Sequence, residues 1–298
     1  MLSAEDEKSS NVFSMERQSS VDKVLGMCWN TLSDTFEFHL KFHRVDREVL
    51  NRIRPPTKRE LLGIIMAIYD PFGFLANLTI CMKILQQSLW KRQIDWDDPL
   101  PHQFYTQWST WWEGFQNIAQ FTIPRCYSPL LMSADEIQLH VFVDASASAF
   151  AAVAYLRITK GSAVDISFVA AKARCAPMKG MTIPRLELQA AVLGNRLERS
   201  IRECHEFHIS RVTFWSDSKT VLLWIRSTTR EYKQFVASRI AEILGNTQPS
   251  QWRWLPSSLN IADEATRAKA VPVVCSSSRL LTGPAFLRKQ EIAWPVEP

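Results

Sequence analysis

Residues 138–148 read Gln-Leu-His-Val-Phe-Val-Asp-Ala-Ser-Ala-Ser. The run Val141-Phe142-Val143 is β-branched and aromatic, which predicts a buried strand, and Asp144 closes it. A second such run, Val212-Thr213-Phe214-Trp215, leads through Ser216 to Asp217. A carboxylate where a buried strand turns toward solvent is poor core material and a good ligand for a hard metal ion. Asp is also a common turn residue after a strand, so each of these two acids has that plainer reading as well. Two further acids stand in Leu186-Glu187-Leu188-Gln189-Ala190-Ala191 and in Asn260-Ile261-Ala262-Asp263-Glu264-Ala265. Glu187 suits the first turn of a helix, where the dipole favours an acid, and Asp263 suits the capping region of a last helix.

Outward from these acids the pattern alternates between strands and helices. Residues 138–143, 149–158 and 167–172 read as three consecutive antiparallel strands. Pro184 opens a helix to residue 203, where its missing N–H costs nothing. A strand at 212–215, a helix capped by Ser218 to about residue 227, a helix at 233–244, a strand at 251–255 and a short helix from Ala262 complete the set. Upstream, residues 23–43 read as a two-stranded hairpin with Phe36, Phe38, Leu40 and Phe42 on one face. Thr57 with Glu60 three residues on predicts a capped helix to residue 69, followed by the turn Asp70-Pro71-Phe72-Gly73 and a helix at 78–92. A last upstream helix, 104–118, carries Trp108, Trp111, Trp112 and Phe115. Its tryptophans cover too much of the helix for all to be buried, so one face is expected to pack on the following domain or meet a nucleic-acid duplex. The expected organisation is a mobile segment 1–20, a hairpin and helical region 21–130, an α/β domain 136–270 and an extension 271–298.

With 298 residues, 46% apolar and 22% charged, the composition is that of a soluble globular chain of one or two domains. No apolar run is long enough for a transmembrane helix, and residues 1–30 lack a signal-peptide core, so Met1 reads as the start of a fragment or an internal start. Six scattered cysteines without a C-x-x-C pair argue against a zinc site and for reduced thiols inside the cell, in cytoplasm or nucleus. Residues 137–270 hold 18 Lys and Arg against 11 Asp and Glu, four of the latter being the acids above. A basic domain around an acidic pocket would hold a polyanion by its phosphates, although a solvated basic surface has many other uses.

In their order, D-A-S, L-E-L-Q-A-A, W-S-D-S-K-T-V-L and N-I-A-D-E-A-T-R resemble the ribonuclease H domain of BEL/Pao-type retrotransposon Pol polyproteins. K-V-L-G-M-C-W-N at 23–30 resembles the hairpin that ends the reverse-transcriptase palm in those polyproteins. K-R-E-L-L-G-I-I-M-A-I-Y-D-P-F-G-F-L-A at 58–76 and L-W-K-R-Q-I-D-W-D-D-P-L-P at 89–101 resemble the thumb and connection that follow. L-T-G-P-A-F-L at 281–287 extends the likeness to about residues 21–295.

The resemblance implies a ribonuclease H-like α/β fold, a five-stranded mixed sheet flanked by helices, with Asp144, Glu187, Asp217 and Asp263 as catalytic metal ligands. It implies two Mg²⁺ or Mn²⁺ ions, an RNA/DNA hybrid as substrate, the remainder of a retroelement polyprotein as partner, and no membrane. Phosphodiester hydrolysis needs an activated water, neutralised charge at phosphorus and help for the leaving oxygen, which two ions roughly 4 Å apart supply. Without metal, converging carboxylates repel, so at least one is expected to titrate high.

Around the acids, Arg185, Lys219 and Arg267 are candidate phosphate contacts or plain solvated charges. Ser146 and Ser218 either orient ligands or cap, and Asn260 either meets a sugar hydroxyl or pins the loop before Asp263. Trp215 and Trp224 read as core rather than stacking platforms. The loop before Asp263 lacks the His that many ribonucleases H carry, and the chain has no Y-x-D-D polymerase signature. A catalytically inactive nucleic-acid-binding remnant is therefore the alternative. Residue 146 is Ser, where a 3′-exonuclease would have D-x-E, and the Glu comes second, unlike the integrase order.

Overall fold

The computed structural model describes residues 21–24, 27–228, 231–267 and 274–298; the segment 1–20 expected to be mobile lies outside these. The chain enters through β1 (Val21–Val24), β2 (Met27–Asn30) and β3 (Thr35–Glu37), paired antiparallel in that order. The expected single strand through residues 24–30 is thus two, with Val24 opposite Met27. The second strand of the expected hairpin stops at Glu37, yet its alternation persists in burial. Phe38 is buried, and Phe36, Leu40 and Phe42 pack on the same cluster. Tertiary packing holds that face without a ladder.

Helices α1 (Arg47–Leu50), α2 (Lys58–Ala67), α3 (Ala76–Lys91) and α4 (His102–Phe115) follow. At the start of α2, Thr57 and Glu60 form the reciprocal capping box their spacing predicts. After α4, β4 (Thr122–Pro124) pairs with β3 and completes a four-stranded sheet. Contrary to expectation, Trp108, Trp111 and Trp112 are all buried, at 0%, 1% and 6% exposed. The reason is that α4 has partners on more than one side. Trp111 donates its indole N–H to Leu78 O on α3, and Trp112 donates to Leu50 O at the end of α1. Trp108 stacks on Trp112, and Trp111 stacks on Phe115 with centroids 4.6 Å apart.

The second half is a mixed sheet. Strands β5 (Glu136–Ala145), β6 (Ala149–Lys160) and β7 (Ala163–Cys175) form an antiparallel meander. Helix α5 (Ile183–Cys204) then crosses to β8 (Arg211–Ser216), parallel to β5. Helices α6 (Lys219–Arg226) and α7 (Gln234–Leu244) lead to β9 (Trp252–Trp254), parallel to β8. The strand order is β7-β6-β5-β8-β9. Beyond β9 the expected short helix is a 3-10 turn, Ile261–Ala265, and α8 (Arg279–Thr282) comes later. Among the described residues no helix is long and apolar enough to cross a membrane.

Successive strand residues face opposite sides, and the two faces of the sheet belong to different cores. Leu139, Val141 and Val143 pack in one cluster with α5, α6 and α7. Phe142, Tyr155 and Trp215 pack in another with Trp108, Leu78 and Phe74 of the N-terminal half. The segment from Val274 onward joins this second face: Leu280, Phe286, Leu287 and Trp294 are buried on it. Tyr155 donates its hydroxyl to Leu280 O, and Arg157 Nε donates to Leu287 O at 2.8 Å.

The N-terminal helices are fastened to β7 at the Asp70–Gly73 turn. Asp70 accepts from the N–H groups of Gly73, Phe74 and Leu75, and Phe72 O accepts from Ala171 N at 2.7 Å. Lys172 donates to Pro71 O, and Gln87 on α3 donates to Ala176 O just past β7. Gly73 holds φ +81°, and a Cβ there would sit 2.1 Å from Ala171 O, so both backbone conformation and space require glycine.

Candidate active site

The four sequence-marked acids come from four elements: Asp144 near the end of β5, Glu187 in α5, Asp217 after β8 and Asp263 on the 3-10 turn. The parallel pairing of β5 with β8 sets Phe142 opposite Trp215, so Asp144 and Asp217 leave the sheet at the same end. Asp144 shares the strand face of Phe142, the face on which the 3-10 turn packs through Ile261, Ala262 and Ala265. Glu187 reaches the same end from the other face.

Each carboxylate is held by a neighbour. Asp144, only 5% exposed, accepts a hydrogen bond from the Thr266 hydroxyl. Asp217 accepts from Asn260 Nδ2 at 3.3 Å, Glu187 accepts from Ser218 Oγ at 2.7 Å, and Asp263 is ion-paired with Arg267. Burial, above all, pushes the Asp144 carboxyl up to about 6; the Thr266 hydrogen bond opposes this, and repulsion from Asp217 and Asp263 adds to it. Glu187 is also raised, by burial first and by Asp217, against its hydrogen bond from Ser218. A high-titrating acid was expected from mutual repulsion; desolvation turns out to be the larger cause.

The flanking candidates divide into engaged and exposed groups. Asn260 is buried: its amide donates to Val143 O and Asp217, and its oxygen accepts from Ala262 N, so it pins the loop to the end of β5. Ser218 caps α6 through Val221 N while donating to Glu187. Ser146 accepts from Ser148 N and Ala149 N and donates to Thr266 O. Arg185 and Lys219 are exposed, the former over the Phe235 ring and the latter over Trp254. Trp215 is fully buried and Trp224 packs on the α5–α7 core, as read from the sequence. Thr266 was missed; the available signal was a hydroxyl residue three positions after Asp263, on the same side of a helical turn.

The donor set suits a hard divalent cation: four carboxylates, no thiolate or imidazole, with the charges of Asp217 and Asp263 acting on Asp144 and that of Asp217 on Glu187. Among the described residues no group of three His, Cys, Asp or Glu side chains is arranged so that it could hold a metal ion.

Comparison with known proteins places the chain. Three solved structures are similar to part of the chain. The N-terminal RNase H domain from Mycobacterium tuberculosis, solved as a fusion with maltose binding protein, is 13% identical, with a TM-score of 0.31 over 44% of this chain and 91% of that one. LC11-RNase H1 in complex with an RNA/DNA hybrid is 13% identical, with a TM-score of 0.31 over 44% and 93%. RNase H1 from the halophilic archaeon Halobacterium salinarum is 12% identical, with a TM-score of 0.29 over 43% and 90%. No curated protein matches. The Pao retrotransposon-like RNaseH-like domain matches residues 57–218, a span that runs from the α2 cap through Asp144, Glu187 and Asp217 and stops short of Asp263. That match takes in more than half of the residues, and with the strand order above it settles the family: the chain belongs to the Pao retrotransposon-like RNaseH-like domain proteins.

Proposed function

We propose that the chain is a ribonuclease H-type endoribonuclease that hydrolyses the RNA strand of RNA/DNA hybrids with the help of two Mg²⁺ or Mn²⁺ ions. The observation that carries this reading is the gathering of Asp144, Glu187, Asp217 and Asp263 at one end of the sheet, with Asp144 buried and titrating near 6. Asp144 would lie between the two ions, Glu187 and Asp217 would hold the ion on the leaving-group side, and Asp263 the ion on the water side. Such a pair of ions supplies a water of lowered pKa and neutralises charge on the attacking and leaving oxygens.

The chain's own residues do the rest. Asn260 holds Asp217 against the end of β5, and Ser218 holds Glu187 at the start of α6. Arg267 pairs with Asp263, and if Asp263 held an ion instead, the guanidinium would be available to a phosphate. Lys219, next in the chain to Ser218, and Arg185, two residues before Glu187, are exposed and would contact the backbone phosphates. Hybrid selectivity would come from 2′-hydroxyls in a wide minor groove, which duplex DNA does not present. The partners are a hybrid duplex and the rest of a retroelement polyprotein, within the cell.

The second reading, an inactive nucleic-acid-binding remnant, is favoured by the Asp263–Arg267 pairing and by the absence of a His in the loop before Asp263. One assay separates the two. Purified protein with a labelled hybrid and Mg²⁺ should cut the RNA strand, and Asp144→Asn or Asp217→Asn should abolish cutting. Hybrid binding without cleavage selects the remnant reading, and unchanged cleavage in both variants refutes the site.

A further inference from the structure

Thr266 is wholly buried, and beside the Asn260 bond to Val143 O it makes two more ties between the Asp263 turn and the end of β5. Its hydroxyl donates to Asp144 Oδ2, its carbonyl accepts from Ser146 Oγ at 2.8 Å, and its N–H donates to Asp263 O at 3.3 Å. Other threonines in the chain show what a purely structural hydroxyl does. Thr106, Thr110, Thr247 and Thr282 each donate to the carbonyl four residues back. Thr266 has a local carbonyl in reach as well, Asp263 O three residues back at 3.2 Å. A hydroxyl has one proton, and here the anionic acceptor is the closer one and makes the stronger bond.

The packing explains why such a tie is needed. Glu187 rides on α5, anchored in the core on one face of the sheet, while the Asp263 turn is anchored in the core on the other. Asp144 stands on the strand between them. Apolar packing sets the backbone of each element but not the torsion of a carboxylate at the strand end.

We propose that Thr266 is a positioning residue: it sets the side-chain orientation of Asp144 and its spacing from the Asp263 turn, so that both acids are presented to the same pair of cations. This rests on the metal-dependent reading above. The conformational work is done before metal arrives, as with other hydrogen-bonded carboxylate ligands, whose outer partners typically carry a 10–100-fold share of metal affinity.

The test compares the full chain with Thr266→Val, Thr266→Ala and Thr266→Ser. Mn²⁺ binding is followed by electron paramagnetic resonance without nucleic acid, and Mg²⁺ titrations of hybrid cleavage run alongside. Val and Ala should bind Mn²⁺ on the order of 10–100-fold more weakly and need correspondingly more Mg²⁺ for half-maximal cleavage, while Ser, which keeps the hydroxyl, stays near wild type. Ala places no methyl against the carboxylate and so serves if Val fails to fold. Wild-type Mn²⁺ affinity in the hydroxyl-free variants, with or without a lowered melting temperature, overturns the positioning role and leaves the nuclease reading standing. Wild-type protein that binds no Mn²⁺ overturns both.

Discussion

Replacing Gly73 by Ala tests whether the N-terminal helices and the sheet form one mechanical unit. Gly73 holds φ +81°, and a left-handed conformation costs an L-residue about 1–2 kcal/mol. The new Cβ would lie 2.1 Å from Ala171 O, more than 1 Å inside ordinary contact, and the obstacle is backbone rather than a yielding side chain. Relief requires moving the turn off β7, which breaks the Ala171 N to Phe72 O bond and strains Lys172 against Pro71 O. Overpacking of this kind costs about 1–3 kcal/mol, and a lost hydrogen bond about 1 kcal/mol. The total is about 3–6 kcal/mol.

Gly161 is the internal control: it has φ +55° with nothing within 4 Å, so Gly161→Ala carries only the conformational part, about 1–2 kcal/mol. Urea unfolding of the two variants should differ by about 2–4 kcal/mol, read from midpoints at unchanged slope. Hybrid cleavage should also fall in Gly73→Ala and not in Gly161→Ala, because the Asp263 turn shares its core with α3. A Gly73→Ala protein no less stable than Gly161→Ala would refute the rigid seam, and with it the argument that the helices help place Asp263.

Two further outcomes follow from the same structure. Asp144 titrates near 6 in the fold against 3.8 when unperturbed, so on this group alone the folded state holds its proton more tightly and stability falls as pH rises from about 4 to 6. Asp144→Asn removes up to about 3 kcal/mol of that loss, so without metal the variant should melt above wild type at pH 7.5 and near it at pH 4.5. Equal melting temperatures at both pH values would sink the assignment. Trp294 is buried against Trp215, Phe286 and His140, with Arg157, Arg211 and Arg253 over its ring. Trp294→Ala should destabilise the protein by about 3–5 kcal/mol in denaturant titrations, whereas a loss under 1 kcal/mol would mean that the C-terminal segment merely rests on the sheet.

Much of this protein is written in short-range pattern. The alternation through Val141-Phe142-Val143, Pro184 at a helix start, and Thr57 with Glu60 are local signals, and the strands, helix and capping box they predict are present within a few residues. The four acids stood out as candidates for the same reason: each sits in or just after a recognisable element. What needed the folded molecule was every property set by a partner far along the chain. The tryptophans of α4 are all buried because α3 and the end of α1 wrap them, which no helical periodicity reveals. Phe38 to Phe42 keep a strand's alternation without a strand, because their partners are side chains and not a neighbouring ladder. The raised Asp144 comes mainly from burial, and its link to Thr266 spans 122 residues, a distance over which spacing carries no information. Local sterics and hydrophobic period choose the elements; desolvation and hydrogen-bond partners depend on which elements meet, and that is decided only when the two cores close on either side of the sheet.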